Sequence, residues 1–247
     1  MEYVAILRAR RILTWYTGFI IAGLIIEAIS YYAGHGRNEG NGTVAFASLV
    51  GGAAVAALII ATLLAPGLSA EAANTTALIW TRPAPREAIA SRIIAVDAAA
   101  IAIAYTIMLI AMVIGMAIIG GLHQITYDPP SIARTVLLGL GGTLMWYAVI
   151  SVAASRLPGR GPLLAGLTWG VFPVLTALVF AHNFPIWLHD IIYALNYLNP
   201  MAWMGGTTPQ HNSSVLPYSV GMRALGTWSI ALVALVASVR LWSTREA

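Results

Sequence analysis

Three consecutive stretches decide the fold: 43-TVAFASLVGGAAVAALIIATLLAPGLSA-70, 71-EAANTTALIWTRPAPREAIASR-92 and 98-AAAIAIAYTIMLIAMVIGMAIIGGL-122. The first and third carry no charged residue. Each exceeds the about 20 apolar residues that cross a hydrocarbon core as helix. The stretch between them holds the densest charge outside the N-terminal arginines. It is helix-compatible on both sides of a turn at Thr81-Arg82-Pro83-Ala84-Pro85-Arg86. The second apolar run can continue as helix past the membrane as far as Pro83. A charged elbow between two apolar runs is unsuited to lipid, where charge is costly. It suits a water-facing surface on which a soluble partner docks, or simply a solvated loop.

The whole chain follows the same pattern. Its 247 residues are 59% hydrophobic and 9% charged, with mean hydropathy +0.81. Soluble domains carry about 25% charged residues. The reading is therefore one integral membrane domain, 1–247, with no separate soluble domain. Cysteine is absent, which excludes disulfides and cysteine-ligated metals. The basic pI near 9.6 reflects arginines at membrane-flanking positions and does not indicate nucleic-acid binding. The N-terminus is not expected to be a cleaved signal, because Arg8, Arg10 and Arg11 lead into a run that contains Glu27 and no convincing cleavage pattern.

Six runs qualify as transmembrane helices: roughly 13–33, 44–65, 97–121, 134–155, 163–182 and 218–240. The expected class is all-α, with both termini on one side. Arg8, Arg10, Arg11, Arg82, Arg86, Arg92, Arg156, Arg160, Arg240 and Arg245 fall on that side, and only Arg37, Arg134 and Arg223 fall opposite. The positive-inside rule then makes the termini and the 66–96 loop cytoplasmic. At about 100° per residue, Ala5, Ile6, Ala9, Ile12 and Leu13 are assigned to one side of a helix and Arg8, Arg10 and Arg11 to the other. That is the pattern of an interfacial amphipathic helix ahead of the first span, or of a plain positive flank. Gly51-Gly52, Ala98-Ala99-Ala100 and Gly139-Leu140-Gly141-Gly142 read as close-packing positions between helices. Pro173 is expected to kink the fifth span.

The segment before the last span, HNFPIWLHDIIYALNYLNPMAWMGG from His182, is apolar but interrupted by Pro185 and Pro200. A helix between those prolines would be about 21 Å long, too short to span. It reads as a short re-entrant or interfacial helix. His189, Tyr193 and Asn196 share one face at i, i+4 and i+7, with Asp190 and Tyr197 alongside, and that face can line a cavity, headgroups or water.

Motifs for catalysis are missing. There is no H-E-x-x-H, no G-x-S-x-G elbow and no lysine at all, so the chain has no Walker lysine of its own. His35, His123, His182, His189 and His211 fall on or near the outer side, and His182, His189 and Asp190 are the one conceivable metal trio; ordinary interfacial histidines are the alternative, and no metal site is assigned. Glu27 is the carboxylate well inside a span. It is a candidate for a proton relay or a substrate contact, or it sits near the outer interface with a polar neighbour. Asp97, at the start of the third span, reads as interfacial.

The 71–92 segment resembles the permeases of type-2 ATP-binding-cassette exporters, which have the type V exporter fold. That family carries an acid near the end of span two, then a short helix, a proline, an arginine and a further basic residue before span three. Glu71, Thr75, Thr81, Pro83, Arg86 and Arg92 match it, while Asn74 and Ala77 stand where glycine and glutamate are usual. The order of elements and Asn199-Pro200 before the last span are also similar. The resemblance implies a cytoplasmic coupling helix between spans two and three. It implies a contact to a separate ATPase subunit through Arg82, Pro83, Arg86, Glu87 and Arg92, with Glu71 as the coupling-region acid. Glu27, His189, Asp190, Tyr193 and Asn196 are then pathway or gate candidates. ATP and Mg would be bound by the ATPase and no cofactor by this chain. A second permease subunit, identical or paralogous, would complete the unit in the cytoplasmic membrane of a bacterium or archaeon. A multi-pass membrane enzyme, or an assembly factor acting on lipid, peptide or a metal cofactor, is the alternative class.

Overall fold

Uninterrupted apolar sequence forms helix in a membrane because a helix satisfies its own backbone polar groups without water. The computed structural model follows this rule; it describes residues 2–33, 44–67, 85–157, 160–179, 185–204, 216 and 218–244. Eight α-helices occur among them: α1 (Glu2–Ala33), α2 (Phe46–Leu64), α3 (Arg86–Ile118), α4 (Pro129–Arg156), α5 (Gly161–Val179), α6 (Ile186–Asn196), α7 (Pro200–Met204) and α8 (Val220–Ser243). One element departs from an all-α expectation. Val44–Ala45 and Ile125–Thr126 form a two-residue parallel pair, beside which Phe46 and Tyr127 stack with centroids 5.4 Å apart.

Five helices, α1, α2, α3, α4 and α8, are long and apolar enough to cross a membrane. The protein is thus membrane-embedded by length and composition. The fifth expected span, 163–182, corresponds to α5, whose described apolar part, Leu163–Val179, is shorter. Pro173 lies within α5 and does not end it.

Helix α4 is the centre. Met145, Trp146, Tyr147, Ala148 and Ile150 are all buried completely. It packs most extensively on α8 and next on α2, while α3 joins α1, α2 and α8. The α4–α8 contact is close where Gly141 stands in it, while Gly142 of α4 and Gly226 of α8 lie against α7. A Cβ at Gly141 would run into Thr227 and Trp228, one at Gly142 into Met204, and one at Gly226 into Trp203. Gly139 approaches Ala54 and Tyr105 in the same way. The close-packing reading of 139–142 therefore holds. Helix α1 is peripheral, with Trp15, Phe19, Ile26 and Ile29 exposed, as suits a surface facing lipid.

One expectation about local structure changes. An interfacial helix followed by a separate span is replaced by one unbroken helix of 32 residues, α1. No proline or glycine occurs from Glu2 to Thr17, so nothing breaks it where the span was expected to begin. Helix α2 ends at Leu64 with a turn at Ala65 and Pro66, and residues 68–84, over which helix was expected to continue toward Pro83, lie outside the described residues. Pro66 supplies no backbone N–H and clashes with the preceding turn.

Candidate functional site

At the end of the molecule where α3 begins, charge is gathered in two layers. Pro85 caps α3 without a side-chain bond and Glu87 sits in its first turn, where the helix dipole favours an acid. Arg86 is half-buried, while Glu87, Ser91 and Arg92 are exposed. Arg86 and Arg92 therefore belong to α3 itself and not to a loop before it. Glu87 and Ser91 line a cleft of about 350 Å³ with Leu235, Val239 and Arg240 of α8. Sequence reasoning had placed Arg240 only as a topological marker. Glu71, Arg82 and Pro83, and with them the expected coupling helix, lie outside the described residues.

The deeper layer was missed in the sequence. Asp97 is completely buried. The Nη2 of Arg8 on α1 donates to its Oδ1 at 2.7 Å, and the Tyr147 hydroxyl on α4 donates to its Oδ2 at 2.9 Å. The Arg8 guanidinium also covers Gly67, just past α2, where a Cβ would overlap it. Ser151 of α4 donates to the Ala65 carbonyl at 3.2 Å. One carboxylate thus joins α1, α3 and α4 beside the point where the chain leaves α2 for the 68–84 segment. A buried charge survives only when paired and hydrogen-bonded, and Asp97 has both.

This sharpens one reading and corrects another. Asp97, at the start of the third span, is buried among helices, and Arg8 does not share a solvent face with Arg10 and Arg11. The helical angle explains it: Arg8 stands only about 60° from Ala5 and about 40° from Ile12. Ala5 and Ala9 are buried against the core, Ile6 is exposed, and Arg8 is carried inward beside them. The available signal was the angle of Arg8 together with an acid at the start of an apolar run.

The pathway candidates divide into two places. Glu27 is exposed on α1 and lines a groove with α2 and α3. The others lie on α6, which packs on α5. His189 and Tyr193 are half-buried and stack at 6.5 Å between centroids, so they do share a face. Asp190 is exposed. Asn196 is buried, and its Oδ1 accepts from Asn199 Nδ2 at 3.0 Å. Asn199 Nδ2 also donates to the Phe172 carbonyl at 3.0 Å and to Thr176 Oγ1 at 2.8 Å, both on α5. Asn196 is accordingly part of a clamp between α5, α6 and α7. The aromatic series continues through Tyr197, whose hydroxyl lies 3.1 Å from that of Tyr218. Among the described residues no group of three or more His, Asp and Glu side chains is placed to hold a metal; His182 of the conceivable trio lies outside them. No family model, curated protein or solved structure matches this chain.

Proposed function

We propose that the chain is the membrane-spanning permease subunit of an ATP-binding-cassette exporter. In this reading it crosses the cytoplasmic membrane six times, with both termini inside, and pairs with a second permease subunit. A separate ATPase subunit docks at the start of α3 and hydrolyses ATP. The substrate is hydrophobic or amphipathic and leaves the cytoplasm or the inner leaflet.

One observation carries the proposal: the exposed face of Glu87, Ser91 and Arg92 lies on the same helix as the buried Arg8–Asp97–Tyr147 junction. Charge-assisted hydrogen bonds suit the outer layer to a soluble partner. The inner layer resists independent motion of α1, α3 and α4, so force on the start of α3 moves three helices as a body. Rigid-body motion biased by a ligand's preference for one state is a general way to couple two sites. The cleft shared with Arg240 enlarges the docking surface beyond the residues that the resemblance implies.

The test is purification of the tagged chain at native expression level, followed by identification of its companions. An ATP-binding-cassette ATPase is expected, and its recovery should drop at least tenfold with Glu87→Arg plus Arg92→Glu while the permease stays folded. Recovery of a stable complex without any ATPase would overturn the reading in favour of a membrane enzyme or assembly factor.

A further inference from the structure

The groove at Glu27 has features that packing alone does not explain. It lies among α1, α2 and α3 and measures about 670 Å³, within the range of about 300–1,000 Å³ usual for small-molecule sites. Its walls are apolar, and Glu27 is the one charged residue lining it. Among the described residues nothing forms an ion pair or hydrogen bond with Glu27. Its Oε2 lies against Gly115, where a Cβ would stand 3.0 Å away. A side chain there would crowd the carboxylate; glycine leaves it reachable. Further along the groove, the Tyr16 hydroxyl is buried and has no hydrogen-bond partner among the described residues. Met108, Met112 and Met116 form one wall at four-residue spacing. Thioether side chains are flexible and polarizable and mould themselves to varied apolar shapes.

An acidic residue within a helix long and apolar enough to cross a membrane is rare and marks a candidate functional site. We infer that the groove binds lipophilic cations. The cationic centre pairs with Glu27, and the apolar body lies on the methionine wall. A lipid acyl chain would fill the apolar walls but leaves the carboxylate unanswered. The inference deepens the exporter reading by naming a substrate class, and rests on that reading for transport; binding is a property of this chain alone.

The experiment measures binding of rhodamine 6G, a lipophilic cation, by fluorescence polarization. The full-length chain is held in phosphatidylcholine nanodiscs and empty discs are subtracted. Nile red, neutral and apolar, is the comparison dye. Saturable rhodamine binding is expected, displaced by tetraphenylphosphonium. Glu27→Gln should weaken it at least tenfold and leave Nile red unchanged. Glu27→Asp should recover part of the loss, and the groove-filling Ala111→Trp should weaken both dyes. Equal rhodamine affinity in wild type and Glu27→Gln, or no saturable binding, overturns the inference. If Glu27-dependent binding occurs and no ATPase co-purifies, the site stands and the exporter reading falls. If the ATPase is recovered and Glu27 has no effect on binding, the reverse holds.

Discussion

Asp97 is the residue on which the described structure concentrates most. Its two oxygens are held by groups from two other helices, and neither faces solvent. Removing one partner of a buried pair costs about 3–5 kcal/mol, whereas replacing both by apolar groups is often tolerated. Asp97→Ala should therefore destabilise the folded protein by about 3–5 kcal/mol, and Arg8→Met with Asp97→Leu should regain most of that loss. Thermal unfolding of the detergent-solubilised variants measures both. Equal loss in the single and double variants would mean that the pair contributes no specific stability. Tyr147→Phe removes one hydrogen bond to a charged group and should cost about 1.5–3 kcal/mol by the same assay. Asn199 is the second such residue. Its amide serves Phe172, Thr176 and Asn196 together, so Asn199→Leu should loosen α6 and α7 from α5. Proteolysis at the 205–215 segment would then proceed faster than in the wild type, and an unchanged rate would count against the clamp.

Among the elements, α4 and α8 form the most extensive pair, and Gly141 is the point of closest approach between them. In lipid, association of helices depends on close van der Waals contact, since the surrounding tails are as apolar as the helices. Gly141→Val places a branched side chain where Thr227 and Trp228 already stand. Overpacking of this kind costs about 1–3 kcal/mol. The variant should lose monodispersity in size-exclusion chromatography, while Gly166→Val in α5, where a Cβ meets nothing, should behave as wild type. Helix positions were largely legible in the amino-acid order: the six expected runs overlap α1, α2, α3, α4, α5 and α8. Short α6, bounded by Pro185 and followed by Pro200, was legible from its prolines. Ends were less so. The start of α3 at Arg86 lies ahead of the apolar run because charged residues after Pro85 are good helix formers. The end of α2 at Leu64 is set by Pro66, which hydropathy does not register.

For the whole molecule, sidedness is the property to test, and the chain is suited to it because it has no cysteine. Ser91 and Trp187 are both exposed and should lie on opposite sides of the membrane. In intact cells, Trp187→Cys should react with a membrane-impermeant maleimide and Ser91→Cys only after permeabilisation. Equal labelling of both would overturn the arginine-based topology. The order of amino acids by itself determined that apolar helices dominate and where most of them run. Length and hydropathy are local quantities, and each helix satisfies its backbone within its own segment. Which polar groups meet is not local. Arg8 and Asp97 are 89 residues apart, and Glu27 faces α3 through a gap left by Gly115. Only the packing of helices against one another decided that the first pair is buried together and that the second carboxylate lines an apolar groove.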